Sequence, residues 1–552
     1  MTTVYWADTL AQDIVERKKF NYLDKEVPKI KTFFVKSSTS ISGVPHIGNA
    51  SDVIRHDALY RALKGMKKDA VLYWIAENMD ALRKVPAGIP KEFEKYLGMP
   101  VSDIPCPNGC CKSYSEHFCN LFAKSLRENF GVELVFKNTS DAYRSGEFTP
   151  YIKKAMENLD LVKQIWNKSM ENPLPEKWTP WKPVCENCGK IITTVVKDFD
   201  EKGVTYKCED YDFKKYGKEA YTKVEGCNYE GESLYSKGNG KLLWRVEWGM
   251  LWAAWKIIFE GAGKEHFMPT GSFWTAGEIC EKVFNWPEPH PSENPLQPYE
   301  YLTIDGNKMS ASVGNVVSTW DWPTFAPPQV LRLIFLKKLR KVRDFSYQKI
   351  PDYVDEYDKI QRIYFGFEKE ENEKEEEHLK RLYEMVEIGK IPKKLPVQIP
   401  FSFAALISQI YKPEESMGKA VELLKSTGHI KGKLSKEDEE RIRERLLISR
   451  EWVRRYASEN MRIELREKIP ESFVVPEEQR EALLKLAEEL QSDWKADELQ
   501  NRIYEIGKET GDVKGFFQAL YAVLIGKTAG PKAGPFIITI GKEKVRKMLE
   551  QL

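Results

Sequence analysis

The sequence predicts an α/β protein whose parallel sheet carries a cysteine-rich insertion and is followed by an all-helical C-terminal half. Three observations carry that expectation. Up to about residue 330, short apolar strand-like runs alternate with helical stretches, as in a parallel sheet covered by helices. From about 90 to 240 the alternation breaks, and every cysteine except Cys280 falls there. Beyond the Glu- and Lys-rich stretch Glu368–Glu377, a solvated helix end or linker, the pattern is helical, as in Glu439–Tyr456, Glu477–Leu490 and Phe516–Ile525.

In chain order, Thr32-Phe33-Phe34-Val35 is apolar and β-prone, as a buried strand requires. A turn, Ser42-Gly43-Val44-Pro45-His46-Ile47-Gly48-Asn49, leads into a helix read over Asn49–Tyr60. His46 then stands where a strand hands over to a helix, a place whose open N–H groups and dipole favour phosphate oxygens. Gly48 has no side chain, so a flat adenine can lie against its backbone. Ala70–Ile75 reads as a second buried strand, and the core resumes at Gly261 with Glu265-His266-Phe267-Met268 as a later strand end. Lys308-Met309-Ser310-Ala311-Ser312 offers an ammonium to leaving pyrophosphate and two hydroxyl donors. Each motif alone is a common turn. In this order, each behind a strand-like run, they describe two loops gripping ATP: Gly43, His46, Gly48 and Asn49 from one, Lys308, Ser310 and Ser312 from the other. His46 and Lys308 would stabilise the charge that develops as the α-phosphate is attacked.

With 552 residues, 42% hydrophobic and 30% charged, the chain has a globular composition and room for several domains. No run approaches the ~20 apolar residues of a membrane span. The start resembles no secretory signal, so the cytoplasm is expected. A net charge of +2 neither demands nor excludes RNA, which would need local basic patches. Two are candidates: Arg332, Lys337, Lys338, Arg340, Lys341 and Arg343, and Arg441, Arg443, Arg445, Arg450, Arg454 and Arg455. The competing reading of each is a solvated helix face.

Nine cysteines in a cytoplasmic chain point to metal, not disulfides. Cys185-x-x-Cys188 with Cys208 and Cys227 suits a tetrahedral structural zinc, since so small a segment has no core of its own. Cys106, Cys110, Cys111, His117 and Cys119 form a second candidate cluster, the alternative being buried thiols beside a free histidine. Cys280 reads as a core residue.

The two motifs resemble the HIGH and KMSKS signatures of class I aminoacyl-tRNA synthetases. Trp6-Ala7-Asp8, Arg83–Pro86, Tyr96-Leu97-Gly98-Met99-Pro100, Trp244–Trp248, Ala262–His266, Ile363–Gly366 and Tyr521–Lys527 are similar to the class I lysyl-tRNA synthetase branch, nearly end to end. The resemblance implies a doubly wound (Rossmann-type) catalytic domain over 1–330 with the zinc-binding insertion, a stem-contact region over 331–385, and a helical anticodon-binding domain over 386–552. It implies activation of lysine with ATP and Mg²⁺ to lysyl-adenylate, then transfer to the 3′-terminal adenosine of tRNA-Lys. It also implies mixed Cys/His/acidic metal ligands in the second cluster, a match that falls on Cys106, Cys110, Cys111 and His117 and leaves Cys119 as a spare. A lysine ammonium needs carboxylates and aromatic faces. The candidates are Ser38, Ser40, Glu77, Asp80, Trp248, His266 and Phe273. Any of the acids could be an ordinary surface group. The chain departs from the branch at Asn78 and Trp274, where two potential ammonium partners are lost or neutralised. Ala311 replaces the second lysine of the general KMSKS signature, which this branch often lacks, so Lys308 carries that role. Another amino acid, a silent tRNA-binding paralogue, and an adenylyltransferase that ignores tRNA are the alternatives.

Overall fold

The computed structural model describes residues 5–216, 223–290, 298–299, 302–308, 316–337, 343–430, 432–466, 468–470 and 473–552. The chain forms two units. The first is Met1–Asp321 with Leu331–Phe345 and Lys369–Ile391; the second is Trp322–Val330 with Ser346–Glu368 and Pro392–Leu552.

The first unit is built on four parallel strands: β1 (Thr32–Thr39), β2 (Asp69–Ala76), β3 (Leu134–Asn138) and β4 (Ile257–Phe259), in the order β3-β2-β1-β4. Helix α1 (Ile47–Gly65) crosses from β1 to β2, and α2 (Tyr114–Glu128) precedes β3. The sheet therefore grows from β1 in one direction, then returns to place β4 on the other side. A doubly wound sheet offers a crevice for ligands at such a reversal, outside the carboxyl ends of the strands. Both β1 and β2 are covered on their two faces, which is why apolar and aromatic runs such as Phe33–Val35 and Val71–Ile75 encode them.

Helix α1 starts earlier and ends later than Asn49–Tyr60. His46 is its N-cap, and Ala50, Val53, Ile54, Ala58, Leu59 and Leu63 are buried along it. Two further expectations change. The range read as an insertion supplies β3, whose Trp74–Phe136 register extends the parallel sheet. Its single exposed face and Lys137-Asn138 end hide it from an apolar-run reading. Glu265–Met268 is not a strand end but lies at a 3-10 turn, Lys264–Phe267, where the chain bends towards helix α4 (Ser272–Lys282). Helix α3 (Trp244–Ala254) lies against α4 at close range, because a Cβ on Gly249 would sit 2.6 Å from the Ala276 carbonyl oxygen.

The cysteine-rich segment holds a two-stranded pair, Trp181–Pro183 with Gly240–Leu242, and a three-stranded antiparallel sheet, Thr194–Phe199, Gly203–Cys208 and Glu230–Leu234. Gly98, at φ +89°, accepts hydrogen bonds from the Ile191 and Ile192 amides, and a Cβ there would meet Ile192 and Val224 at 2.9 Å. Tyr96–Pro100 is thus a brace for that segment. The second unit is helical, with Ile350–Tyr364, Phe401–Ile410, Lys436–Tyr456, Glu477–Glu489 and Val513–Ile525 among its helices. Ser435 and Asp438 form a capping box at the start of Lys436–Tyr456.

Arg332 is fully buried in the first unit. Its guanidinium donates to Asp57 on α1 at 2.7 Å and to the Phe130 and Met385 carbonyls, and Arg61 pairs with the same Asp57 at 2.8 Å. Removing one partner strands a buried charge, so Asp57→Asn should lower unfolding free energy by about 3–5 kcal/mol, read as a reduced urea midpoint.

Candidate active site

The site forms where β1 and β4 part. His46 adopts an extended conformation, and its Nδ1 accepts the Gly48 N–H at 3.0 Å, while Asn49 Oδ1 accepts the His46 N–H at 3.0 Å. A neutral ring that accepts at Nδ1 carries its proton on Nε2, so that nitrogen is left as a donor. Burial pulls the imidazole down to about 4, which keeps it neutral at physiological pH. The Ile47 N–H donates to the Val317 carbonyl at 2.9 Å. This bond places the chain just beyond the second motif against the residue that follows His46. It also means that the first amides of α1 are engaged, Ile47 by Val317 and Gly48 by imidazole, so they are not the open phosphate donors the sequence suggests. The Lys308 backbone ends a hairpin with Leu302–Ile304. The Lys308 side chain, Ser310 and Ser312 lie outside the described residues.

Beside His46, the strand ends gather four carboxylates and two ammonium groups. Glu260, just after β4, accepts from Lys36 at 2.5 Å, Ser38 at 3.3 Å, and the indoles of Trp248 and Trp252 at 2.8 and 2.5 Å. Lys241 bridges Asp80 and Glu247, each at 2.6 Å. Ser40 also donates to Asp80, and Tyr143 to Glu247, both at 2.8 Å. Burial pushes Asp80 up, but the Lys241 ammonium outweighs it and the carboxyl ends below its usual range. For Glu247 burial wins and lifts it to about 7. Glu77 differs. Burial raises it against the pull of Lys36, 3.9 Å away, and among the described residues no donor hydrogen-bonds its carboxylate. Trp248 stacks on Trp244 with centroids 4.9 Å apart and meets the edge of His266 at 5.6 Å, so three rings wall this space.

Residues 4–389 match the family described as tRNA synthetases class I (K), and residues 456–552 match an anticodon binding domain. The lysine–tRNA ligase of Methanocaldococcus jannaschii is 35% identical over 98% of this chain and 98% of that protein. The enzyme of the same name from Thermococcus kodakarensis is 35% identical over 99% of both. The chain belongs to the class I tRNA synthetase family.

Of the remaining residues singled out for this synthetase, Phe273 is fully buried behind the aromatic wall, packed on Trp248, Trp252 and Phe267, and lines nothing. Asn78 is a structural cap, accepting the Ser140 N–H at 2.9 Å, and Trp274 donates to the Phe267 carbonyl. The first basic patch loses Arg332 to the buried cluster with Asp57; Lys338, Arg340, Lys341 and the Arg343 side chain lie outside the described residues. In the second, Arg445 pairs with Asp358, Arg450 with Glu414, and Arg454 and Arg455 with Glu451, which is largely an internally neutralised helix face. Sequence reasoning missed Lys36, Tyr143, Lys241 and Glu260. Only Lys36 left a signal, a charge inside an apolar strand.

Both cysteine sets converge. Sγ atoms of Cys185 and Cys227 are 3.6 Å apart and those of Cys188 and Cys208 3.7 Å; all four lie within 4.8 Å of one another. In the other set Cys106–Cys110 is 3.7 Å, Cys110–Cys111 3.6 Å, and Cys110 Sγ to His117 Nδ1 3.1 Å. Metal–sulfur bonds of ~2.3 Å in a tetrahedron give sulfur edges of roughly 3.8 Å, so both sets fit one four-coordinate ion each. Cys119 and Cys280 are buried elsewhere.

The depressed His46 has a stability consequence. The unfolded imidazole takes up a proton near its ordinary ~6.5, the folded one only near 4. Stability is therefore unaffected by this group above that range and is lost as pH falls through it. Urea midpoints of the wild type and His46→Asn, measured between neutrality and mild acid, should converge as pH drops.

Proposed function

We propose that the chain is a lysine–tRNA ligase that activates lysine with ATP and Mg²⁺, then passes the lysyl group to the 3′-terminal adenosine of tRNA-Lys. The observation that carries this reading is Glu77, a buried carboxylate without a hydrogen-bond donor among the described residues, facing the same strand ends as His46. Its nearest ammonium, Lys36, stays at 3.9 Å without a hydrogen bond, so a hydrogen-bonding ammonium is the group such a carboxylate lacks. The names of the two archaeal relatives support the same substrate.

In the first step a lysine carboxylate oxygen attacks the α-phosphorus, and the bond to pyrophosphate breaks. His46 donates from Nε2 to a non-bridging oxygen of the α-phosphate, where negative charge grows, and the dipole of α1 adds to it. Gly43, Gly48 and Asn49 shape the nucleotide side, with adenine against Gly48. Lys308, Ser310 and Ser312 hold the departing pyrophosphate. On the other side Glu77 accepts the substrate ammonium, and Trp248 and His266 flank its methylene chain; Ser38 and Ser40 hold Glu260 and Asp80 in place. In the second step the 2′-hydroxyl of the terminal adenosine attacks the lysyl carbonyl, and AMP leaves. The catalytic domain with its insertion spans about 1–330, a stem-contact region 331–385 and an anticodon-binding domain 386–552. Supporting the last of these, the anticodon-domain match covers its C-terminal part. Cys185, Cys188, Cys208 and Cys227 would hold one zinc, and Cys106, Cys110, Cys111 and His117 a second; both are structural, since all four ligand positions are filled by protein. Among the described residues no helix is long and apolar enough to cross a membrane. A role in translation fits the cytoplasm.

His46→Asn keeps an N-cap oxygen but loses the Nε2 donor. Lysine-dependent ATP–pyrophosphate exchange with tRNA present should fall by about 10²–10³-fold in kcat while the fold persists; undiminished exchange would refute the role. Cys208→Ser should remove one equivalent of zinc, counted by elemental analysis, and lower the melting temperature, while Cys110→Ser removes the other.

A further inference from the structure

The four carboxylates of the pocket are not equivalent, and the difference is made by the protein's own lysines. Glu260 accepts four donors: Lys36, Ser38, Trp248 and Trp252. A carboxylate has about four lone-pair sites, so it is saturated. Lys241 is ion-paired with both Asp80 and Glu247, Ser40 donates to Asp80 and Tyr143 to Glu247, and Glu247 Oε2 has no hydrogen bond beyond its ion pair with Lys241. The Lys36 side chain is entirely buried, with Glu260 at 2.5 Å and Glu77 at 3.9 Å. It therefore lies between a carboxylate it hydrogen-bonds and one it meets only as a long ion pair, without a hydrogen bond.

We propose that Lys36 is a specificity-determining residue: by holding Glu260 it leaves Glu77 as the single carboxylate available to a substrate ammonium. The inference rests on the assignment of lysine to this pocket. Without Lys36, Glu260 would be a second, more deeply buried acceptor, and one incoming cation would divide between two positions. Without Glu260, Lys36 would have only Glu77 to pair with, and the chain's own ammonium would close the substrate's place. The pocket thus contains a built-in competitor, kept away from Glu77 by one buried ion pair.

Charge-neutral variants separate this from a merely structural role. Glu260→Gln keeps the volume and an oxygen for an indole N–H but frees Lys36. It should raise KM for lysine at least about tenfold while leaving KM for ATP within about twofold, since the loss is ground-state binding at one subsite. Adding Lys36→Met removes the competitor, so the double variant Lys36→Met/Glu260→Gln should regain most of the lost lysine affinity. A packing defect at Glu260 would instead be made worse by a second substitution. A lysine KM unchanged in Glu260→Gln, or no recovery in the double variant, overturns the proposal. Glu77→Gln tests the underlying assignment separately. If it leaves lysine KM unaltered, the ammonium is not at Glu77 and the pocket reading itself fails; if it raises KM while Glu260→Gln does not, only the role of Lys36 falls.

Discussion

The site is organised by one electrostatic constraint: charges crowded out of water must be matched, group by group. Glu77, Asp80, Glu247 and Glu260 lie at the ends of the parallel strands, where among the described residues Lys36 and Lys241 are the buried cations paired with them. Removing a carboxylate from water without a partner is costly, so each must find hydrogen-bond donors, take up a proton, or await a ligand. Glu260 is engaged by four donors, Asp80 is held by Lys241 and Ser40, and Glu247 is lifted towards neutrality. Glu77 is raised by burial without a hydrogen-bond donor among the described residues; on the proposed reading that place is the substrate ammonium's.

The backbone brings that pocket to the nucleotide side. The reversal of strand order between β1 and β4 opens the crevice, and the Ile47–Val317 bond draws the second-motif chain to its rim. Because the leading amides of α1 are already bonded, phosphate binding falls to side chains. His46 serves as the cap that lets α1 begin, and on the proposed reading also as the phosphate donor; the hydrogen bond from Gly48 fixes the tautomer that the second task requires.

How much of this could be read in the sequence depended on range. His46, Gly48 and Asn49 fall within one turn, so their spacing marked the strand-to-helix handover, although not that His46 itself caps the helix. The paired cysteines were legible because a CxxC knuckle is a local geometry, although Cys208 comes from the end of the strand Gly203–Cys208 and Cys227 from the loop before Glu230–Leu234. Thr32–Val35 and Ala70–Ile75 announced strands because interior strands are apolar on both faces. β3 and Lys264–Phe267 did not, the first being an edge strand with polar positions and the second a short aromatic-rich turn. Glu260, Lys241 and Tyr143 are single polar residues whose partners lie 6 to 224 positions away, as Lys241–Glu247 and Lys36–Glu260 show. No periodicity marks such residues; only burial does. Phe273 shows the opposite error: an aromatic near the motifs looks like a ligand wall until packing puts it behind one.

The cysteine-rich segment is joined to the pocket by the same network. Lys241 lies on the strand Gly240–Leu242, whose register pairs Lys182 with Lys241 and Pro183 with Gly240, and the chain leaves Pro183 directly towards Cys185. The knuckle has little core beyond its four cysteines and Tyr206. A metal that ties Cys185 and Cys188 to Cys208 and Cys227 would therefore also fix the strand pair that presents the Lys241 ammonium to Asp80 and Glu247. Losing the knuckle's geometry would release that ammonium, leave two buried carboxylates uncompensated, and erase the contrast that makes Glu77 the open acceptor. A structural metal placed away from the reacting atoms can govern substrate recognition in this way, through the position of a single internal charge.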